Sequence, residues 1–152
     1  MIYTGRWSAK YNNAVKVSIS VGDPRWMTVD WKIKELAPYG IHGKYKGDIA
    51  KMMYRENLKK MGINRITALL KKAQEQFPGK DIILCCWENV HKGEACHRRW
   101  LADWMNENGG QDLPEAPDST MGNEPTNRDF KKKDDMKEKQ ISITELLAGG
   151  LA

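Results

Sequence analysis

The residues best able to do chemistry lie close together in the stretch Leu84-Cys-Cys-Trp-Glu-Asn-Val-His-Lys-Gly-Glu-Ala-Cys-His-Arg-Arg-Trp100. It holds all three cysteines of the chain, two of its three histidines, the carboxylates of Glu88 and Glu94, and two adjacent arginines. Each type brings its own chemistry. A cysteine in the first turn of a helix, beside cationic side chains, is favoured as thiolate by the helix dipole and by the nearby charge. Cys96 would meet that condition as a nucleophile, and it would equally serve as a small residue packed where loop meets helix. Arg98, near the same helix start, is suited to grip a phosphate or carboxylate through two parallel N–H groups. Glu88 is the carboxylate placed to act as general acid or base. His97 is expected to be a hydrogen-bonded core histidine that fixes the loop rather than a general base, with the orientation of Cys96 or Glu88 as its second option.

Other chemistries find less support. A metal centre would have to combine Cys85 or Cys86 with His91, Cys96 and His97, yet neither a Cys-x-x-Cys pair nor a His-Glu-x-x-His spacing is present, so no metal site is expected. No Walker-type loop, no Gly-x-Gly-x-x-Gly turn and no Gly-x-Ser-x-Gly elbow occurs, which argues against nucleotide hydrolysis of the P-loop kind, dinucleotide binding and serine hydrolysis. Which cofactor, if any, the domain uses is not specified by the sequence. With three cysteines, two of them adjacent, a secreted disulfide framework is not expected and the thiols are read as free.

The elements that would position these residues can be read from periodicity. Asp81 to Trp87 is an apolar run typical of a buried central strand, and a helix is expected to start near Glu94 to Cys96. At about 100° per residue, Trp100, Leu101, Trp104 and Met105 form the buried face of that helix. His97 projects onto that face, Cys96 and Arg98 lie at its borders, and Arg99 points to solvent. Upstream, Ile2 to Thr4 and Val15 to Val21 read as strands, Gly47 to Met61 as a helix, and Asn64 as the cap of a helix reaching Phe77. Short apolar runs alternating with helical patterns predict an α/β fold, a small and mainly parallel sheet covered by helices.

Composition divides the chain into an α/β domain over residues 1–109, a flexible linker over 110–140 and a short apolar tail segment over 141–152. The linker carries many charges and few large apolar groups, so it is expected to be disordered. Ile141, Ile143, Leu146 and Leu147 could form one sticky turn able to hold a protein partner or dock back on the domain. Up to Gly109 there are 19 Lys and Arg against 11 Asp and Glu, and beyond it 6 against 9. A basic front half attracts anions, which makes an anionic small molecule, a nucleotide or nucleic acid the expected partner. Trp26 and Trp87, near basic residues such as Arg25, could stack on a base. The first residues lack the apolar run of a signal peptide, and no stretch approaches the roughly 18 apolar residues of a membrane span, so a cytoplasmic protein with no membrane partner is expected.

The segment LCCWENVHKGEACHRRWLADWM resembles the C-terminal signature of domain-of-unknown-function family four hundred and eighty-eight, small proteins of bacteria and phages. Cys86, Trp87, Glu88, Cys96, His97, Arg98, Ala102 and Trp104 match that signature in place, and Ile2 to Thr4, VSIS followed by GDPRW at Gly22 to Trp26, and ELAP at Glu35 to Pro38 are similar to its shorter branch. The resemblance spans roughly Met1 to Asn108, with gaps, while the loop from Asn89 to Glu94 departs from the usual Pro-Gly or Asp-Pro version. It implies a single α/β domain with its site at these motifs, including Ser18 or Ser20, Arg25, Trp26 and Tyr54, and it implies no particular reaction.

Two functional expectations follow. The first is a domain that handles a nucleotide, nucleoside or nucleic-acid component, as a hydrolase or glycosidic-bond enzyme, with Glu88 and Cys96 catalytic. Arg98, His97, Trp87, Trp26, Arg25, Ser20 and Cys86 would then bind the ligand. The second is a non-catalytic phage-type protein that sequesters a small nucleotide or blocks a host protein.

Overall fold

Alternation along one strand organises the domain. In the computed structural model, which describes residues 1–88 and 95–117, the run Asp81–Cys86 forms strand β4 and is buried from Ile82 onward. It lies between β1 (Ile2–Arg6) and β2 (Ala14–Ser18), with the two-residue β3 (Trp31–Lys32) beyond β2. The order is β1-β4-β2-β3 and every pairing is parallel, Leu84 standing level with Thr4 on one side and Val17 on the other. Such a strand is buried on both faces, which is why it reads as continuous apolar sequence.

Successive side chains of a strand point to opposite faces. Ile82 and Leu84 join the larger core, built with Ile2, Val15 and Val17 from the neighbouring strands. Helix α1 (Gly47–Met61) adds Ala50, Tyr54 and Leu58 to it, and α2 (Ile63–Gln76) adds Ile66, Leu70 and Ala73. Helix α3 (His97–Glu107) adds Leu101, Ala102, Trp104 and Met105. Ile83 and Cys85 face the other way, into a smaller cluster closed by Trp7 and Ala116, with Met27 and Val29 packed against it. One face of the sheet is thus covered by helices and the other by connecting segments.

Several sequence expectations are met and others are corrected. The parallel α/β fold stands, and α1 has the predicted bounds. Helix α2 starts at Ile63 rather than after Asn64, because Gly62, at φ 86°, already makes the break and donates its N–H back to the Leu58 carbonyl. That left-handed conformation is open to glycine at little cost. The linker expected from Gly110 does not include residues 110–117. Residues 110–117 pack on the domain as a strap, with Leu113 and Ala116 buried. Thr4 donates its N–H to the Pro114 carbonyl, and Ala116 donates to the Thr4 carbonyl. The rest of the expected linker, and the tail with Ile141 to Leu147, lie outside the described residues. No helix among the described residues is long and apolar enough to cross a membrane.

Gly5 shows how tightly β1 is set. A Cβ built there would lie 2.6 Å from Ile83 Cγ2 and against the Tyr11 hydroxyl. Gly5→Ala should destabilise the domain by about 1–3 kcal/mol through overpacking, read as a lower midpoint in denaturant. An unchanged midpoint would mean that this contact gives way freely.

Candidate functional site

Chain direction fixes where a site can lie. In open parallel sheets, ligands sit beyond the carboxyl ends of the strands, where neighbouring connections diverge. Here β2 leads on to β3 at one side, whereas β4 leads to α3, which packs near β1. Beyond the ends of β2 and β4 are two adjoining hollows of about 380 and 250 Å³, which share Pro38, His42, Glu88 and His97 in their walls. The larger also takes in Lys46, Cys96 and Trp100, and the smaller Ser20, Cys86 and Trp87. A further hollow of about 310 Å³, lined by Tyr3, Lys10 and Asp81, opens towards the start of β4 and holds none of the motif residues.

The strand period brings the motif together. Cys85, pointing into the smaller core, is a free thiol with no exposed surface; burial pushes it up to about 12, so it stays protonated. Cys86, one residue on, turns to the α3 side and is joined by a disulfide to Cys96, with Cα atoms 7.6 Å apart. The expectation of free thiols therefore holds for Cys85 alone. Cys96 is also not in the first helical turn: it has extended backbone angles and caps α3 from outside, its carbonyl accepting from the Arg99 N–H.

His97 follows as the first residue of α3 and lies on the apolar face, as its helical phase predicts. Its Nε2 is 2.6 Å from the Ile19 carbonyl oxygen. A carbonyl only accepts, so Nε2 carries the proton and donates it. In the neutral ring Nδ1 then holds the lone pair, and it faces Cys96 Sγ at 3.8 Å. Burial, with Arg98 and His42 adding to it against the Ile19 hydrogen bond, pushes His97 down to about 4, so the ring is neutral at physiological pH. Tyr54 supports it from α1, ring edge to ring face at 5.4 Å between centroids, with its hydroxyl donating to the Leu36 carbonyl. Burial raises the Tyr54 phenol, which makes it a hydrogen-bond donor and packing group.

Arg98 has no exposed surface, and its guanidinium is engaged inside the molecule. Nε and Nη2 donate to the Glu115 carboxylate, at 3.0 Å to Oε1 and 2.7 Å to Oε2, while Nη1 donates to the Glu88 carbonyl at 2.7 Å and to Cys86 Sγ at 3.0 Å. The anion it holds is a residue of the strap. The expected grip on an external phosphate is thus replaced by an internal one, since a buried cation needs a partner. Arg99, expected in solvent, donates to Thr4 Oγ1 and to the Leu113 carbonyl, and Thr4 Oγ1 donates to Glu115. Glu115 carries no sequence signal, because it lies in a stretch whose composition reads as linker.

The remaining expected residues divide. Ser20 is buried, accepting from Trp7 Nε1 at 3.2 Å and donating to the Gly22 carbonyl at 2.8 Å, which orders the turn after β2. Ser18 lies beside Lys34, whose ammonium donates to Ser18 Oγ, to the Ser20 carbonyl and to Asp23. Burial acts to raise the Asp23 carboxyl, but hydrogen bonds from Lys34, Ser18 and Lys32 outweigh it and hold the group below its usual range. Trp87 is half exposed at the rim of the smaller hollow and donates to the Gly22 carbonyl. Arg25 and Trp26 are exposed and line neither hollow, and His91 lies outside the described residues.

A cluster of donor atoms also forms that spacing does not foresee. The sulfurs of Cys86 and Cys96 and a ring nitrogen of His97 lie within 4.8 Å of one another, all buried. Compared with known proteins, the chain matches no family model, no curated protein and no solved structure.

Alkylation of the unfolded but unreduced chain should add one group, at Cys85, and after reduction three; three without reduction would exclude the Cys86–Cys96 bond. Glu115→Ala should cost roughly 3–5 kcal/mol, because it leaves the Arg98 charge buried and unpaired. A loss under about 1 kcal/mol in denaturant titration would place that guanidinium in water instead.

Proposed function

We propose that the chain is a ligand-handling α/β domain whose ligand, a nucleotide, nucleoside or related nucleic-acid component, occupies the hollows beyond β2 and β4. The observation that carries this reading is the convergence of Glu88, His42, His97 and the cysteine pair on one concave surface at the point where the connections after β2 and β4 diverge. Concave sites with a few convergent polar groups in apolar walls are where small molecules bind. Within the larger hollow Lys46 supplies a cation, and Tyr45 and Trp100 supply aromatic surface. Trp87 adds an indole face at the rim of the smaller one. A flat base and an anionic group are the ligand features that match such a wall.

Roles shift with the geometry. Arg98 supports the site by holding the Glu88 carbonyl, so Lys46 takes over as the residue that meets a negative charge. Glu88 is the carboxylate available for proton transfer to a bound ligand. The resemblance of the Cys-His-Arg segment to domain-of-unknown-function family four hundred and eighty-eight belongs to this proposal and rests on the motif residues. The rival reading, a binding protein acting through Ile141 to Leu147, concerns residues outside those described.

Mass spectrometry of small molecules released from the purified full-length chain should find a nucleobase-containing compound. Calorimetry with that compound should then show at least about tenfold weaker binding for Lys46→Ala, the loss of one charge-assisted contact. Release of no such compound, or unchanged affinity in Lys46→Ala and Glu88→Gln, would overturn the reading.

A further inference from the structure

The donor cluster is the strongest unassigned feature of the molecule. We propose that the reduced domain binds a thiophilic divalent cation, Zn²⁺ by its chemistry, through Cys86 Sγ, Cys96 Sγ and His97 Nδ1, with a fourth coordination position towards the hollow lined by Glu88 and His42. This goes beyond the ligand-handling reading and does not depend on the identity of that ligand.

Distances fit. A tetrahedral Zn²⁺ with Zn–S near 2.3 Å and Zn–N near 2.0–2.1 Å holds two sulfurs about 3.8 Å apart and a sulfur and a nitrogen about 3.6 Å apart. Cys96 Sγ and His97 Nδ1 are already 3.8 Å apart, and no two of the three donors are more than 4.8 Å apart. The cysteine Cα atoms, at 7.6 Å, stand farther apart than the 4.4–6.8 Å usual for a disulfide, and opening the sulfurs by an ångström or two needs only side-chain rotation. Backbone support comes from two rigid elements, the end of β4 and the start of α3.

Surrounding bonds also favour a metal. His97 donates its far nitrogen to the Ile19 carbonyl, the arrangement by which a ligating imidazole is usually oriented and its tautomer fixed. Arg98 Nη1 donates to Cys86 Sγ, as groups around bound thiolates commonly do. Charge balances too. Two thiolates neutralise Zn²⁺, and Glu115 neutralises Arg98, so no uncompensated charge is left in the interior.

Chemically, a dithiol reductant opens the Cys86–Cys96 bond, is itself oxidised to a disulfide, and leaves two thiols. On binding, Zn²⁺ replaces the two thiol protons, which pass to solvent. Three protein donors of S₂N type with one open position are the pattern of zinc sites that bind water or a substrate atom.

The test uses the full chain, reduced with a phosphine, freed of reductant under anaerobic conditions and titrated with Co²⁺ and then Zn²⁺. One Co²⁺ per chain should bind with the intense visible bands of tetrahedral geometry and a thiolate-to-cobalt charge-transfer band, and Zn²⁺ should bleach both. Cys96→Ser and His97→Gln, checked as folded by circular dichroism, should each weaken binding at least about tenfold, while Cys85→Ala keeps full binding. Oxidised wild-type chain should bind none, a comparison that needs no substitution. Weak octahedral bands, equal uptake by the oxidised chain, or unchanged binding in Cys96→Ser would overturn the proposal. None of these results bears on nucleotide release, so the two readings fail separately.

Discussion

The arrangement around the motif depends on one buried guanidinium. Arg98 has no exposed surface, yet it reaches three parts of the chain at once: the Glu115 carboxylate in the strap, the Glu88 carbonyl after β4, and the Cys86 sulfur at the end of β4. A charge in that position must be met by a countercharge and by acceptors for its remaining N–H groups. The fold satisfies the demand by drawing in the strap. The start of α3, the end of β4 and the strap are therefore fixed relative to one another by a single side chain, and the cysteine and histidine donors inherit that placement. Thr4 and Arg99 extend the network to β1.

The difference between two adjacent cysteines follows from strand geometry. Cys85 and Cys86 share composition and burial, but the pleat sends one into the loop-covered core and the other to the helical side. Only the second can meet Cys96. A disulfide and a metal ion would use the same two sulfurs, so the pair can do one or the other at a time, and its redox state decides which.

What the sequence reveals and what it hides divide along physical lines. Strand β4 is legible because burial on both faces makes it a continuous apolar run, and helix α2 because one buried face imposes a helical period on its side chains. His97 falls on the apolar face because helical phase alone places it there. Cys86 and Cys96 are ten positions apart with no helical or metal-ligand spacing, so only the packing of α3 against the sheet reveals their meeting. Glu115 is hidden for a different reason. It sits among polar residues and prolines, where low hydrophobicity signals a linker, and its value arises entirely from a cation 17 positions earlier. Arg98 looks like an anion-binding residue from its type and position; the structure keeps that chemistry and supplies the anion from within.

The strap also bears on how the domain meets other molecules. Strand β1 is the outermost strand on its side of the sheet, and outer strands offer unpaired backbone groups to which another chain can add. Residues 114–116 take up both backbone groups of Thr4 in a parallel bridge, which leaves an incoming strand little to pair with there. At the opposite border β3 is only two residues long, too short to template much addition. Among the described residues one border is thus bridged at its middle and the other cut short, so the segment that satisfies an interior charge also occupies backbone groups to which another strand could add.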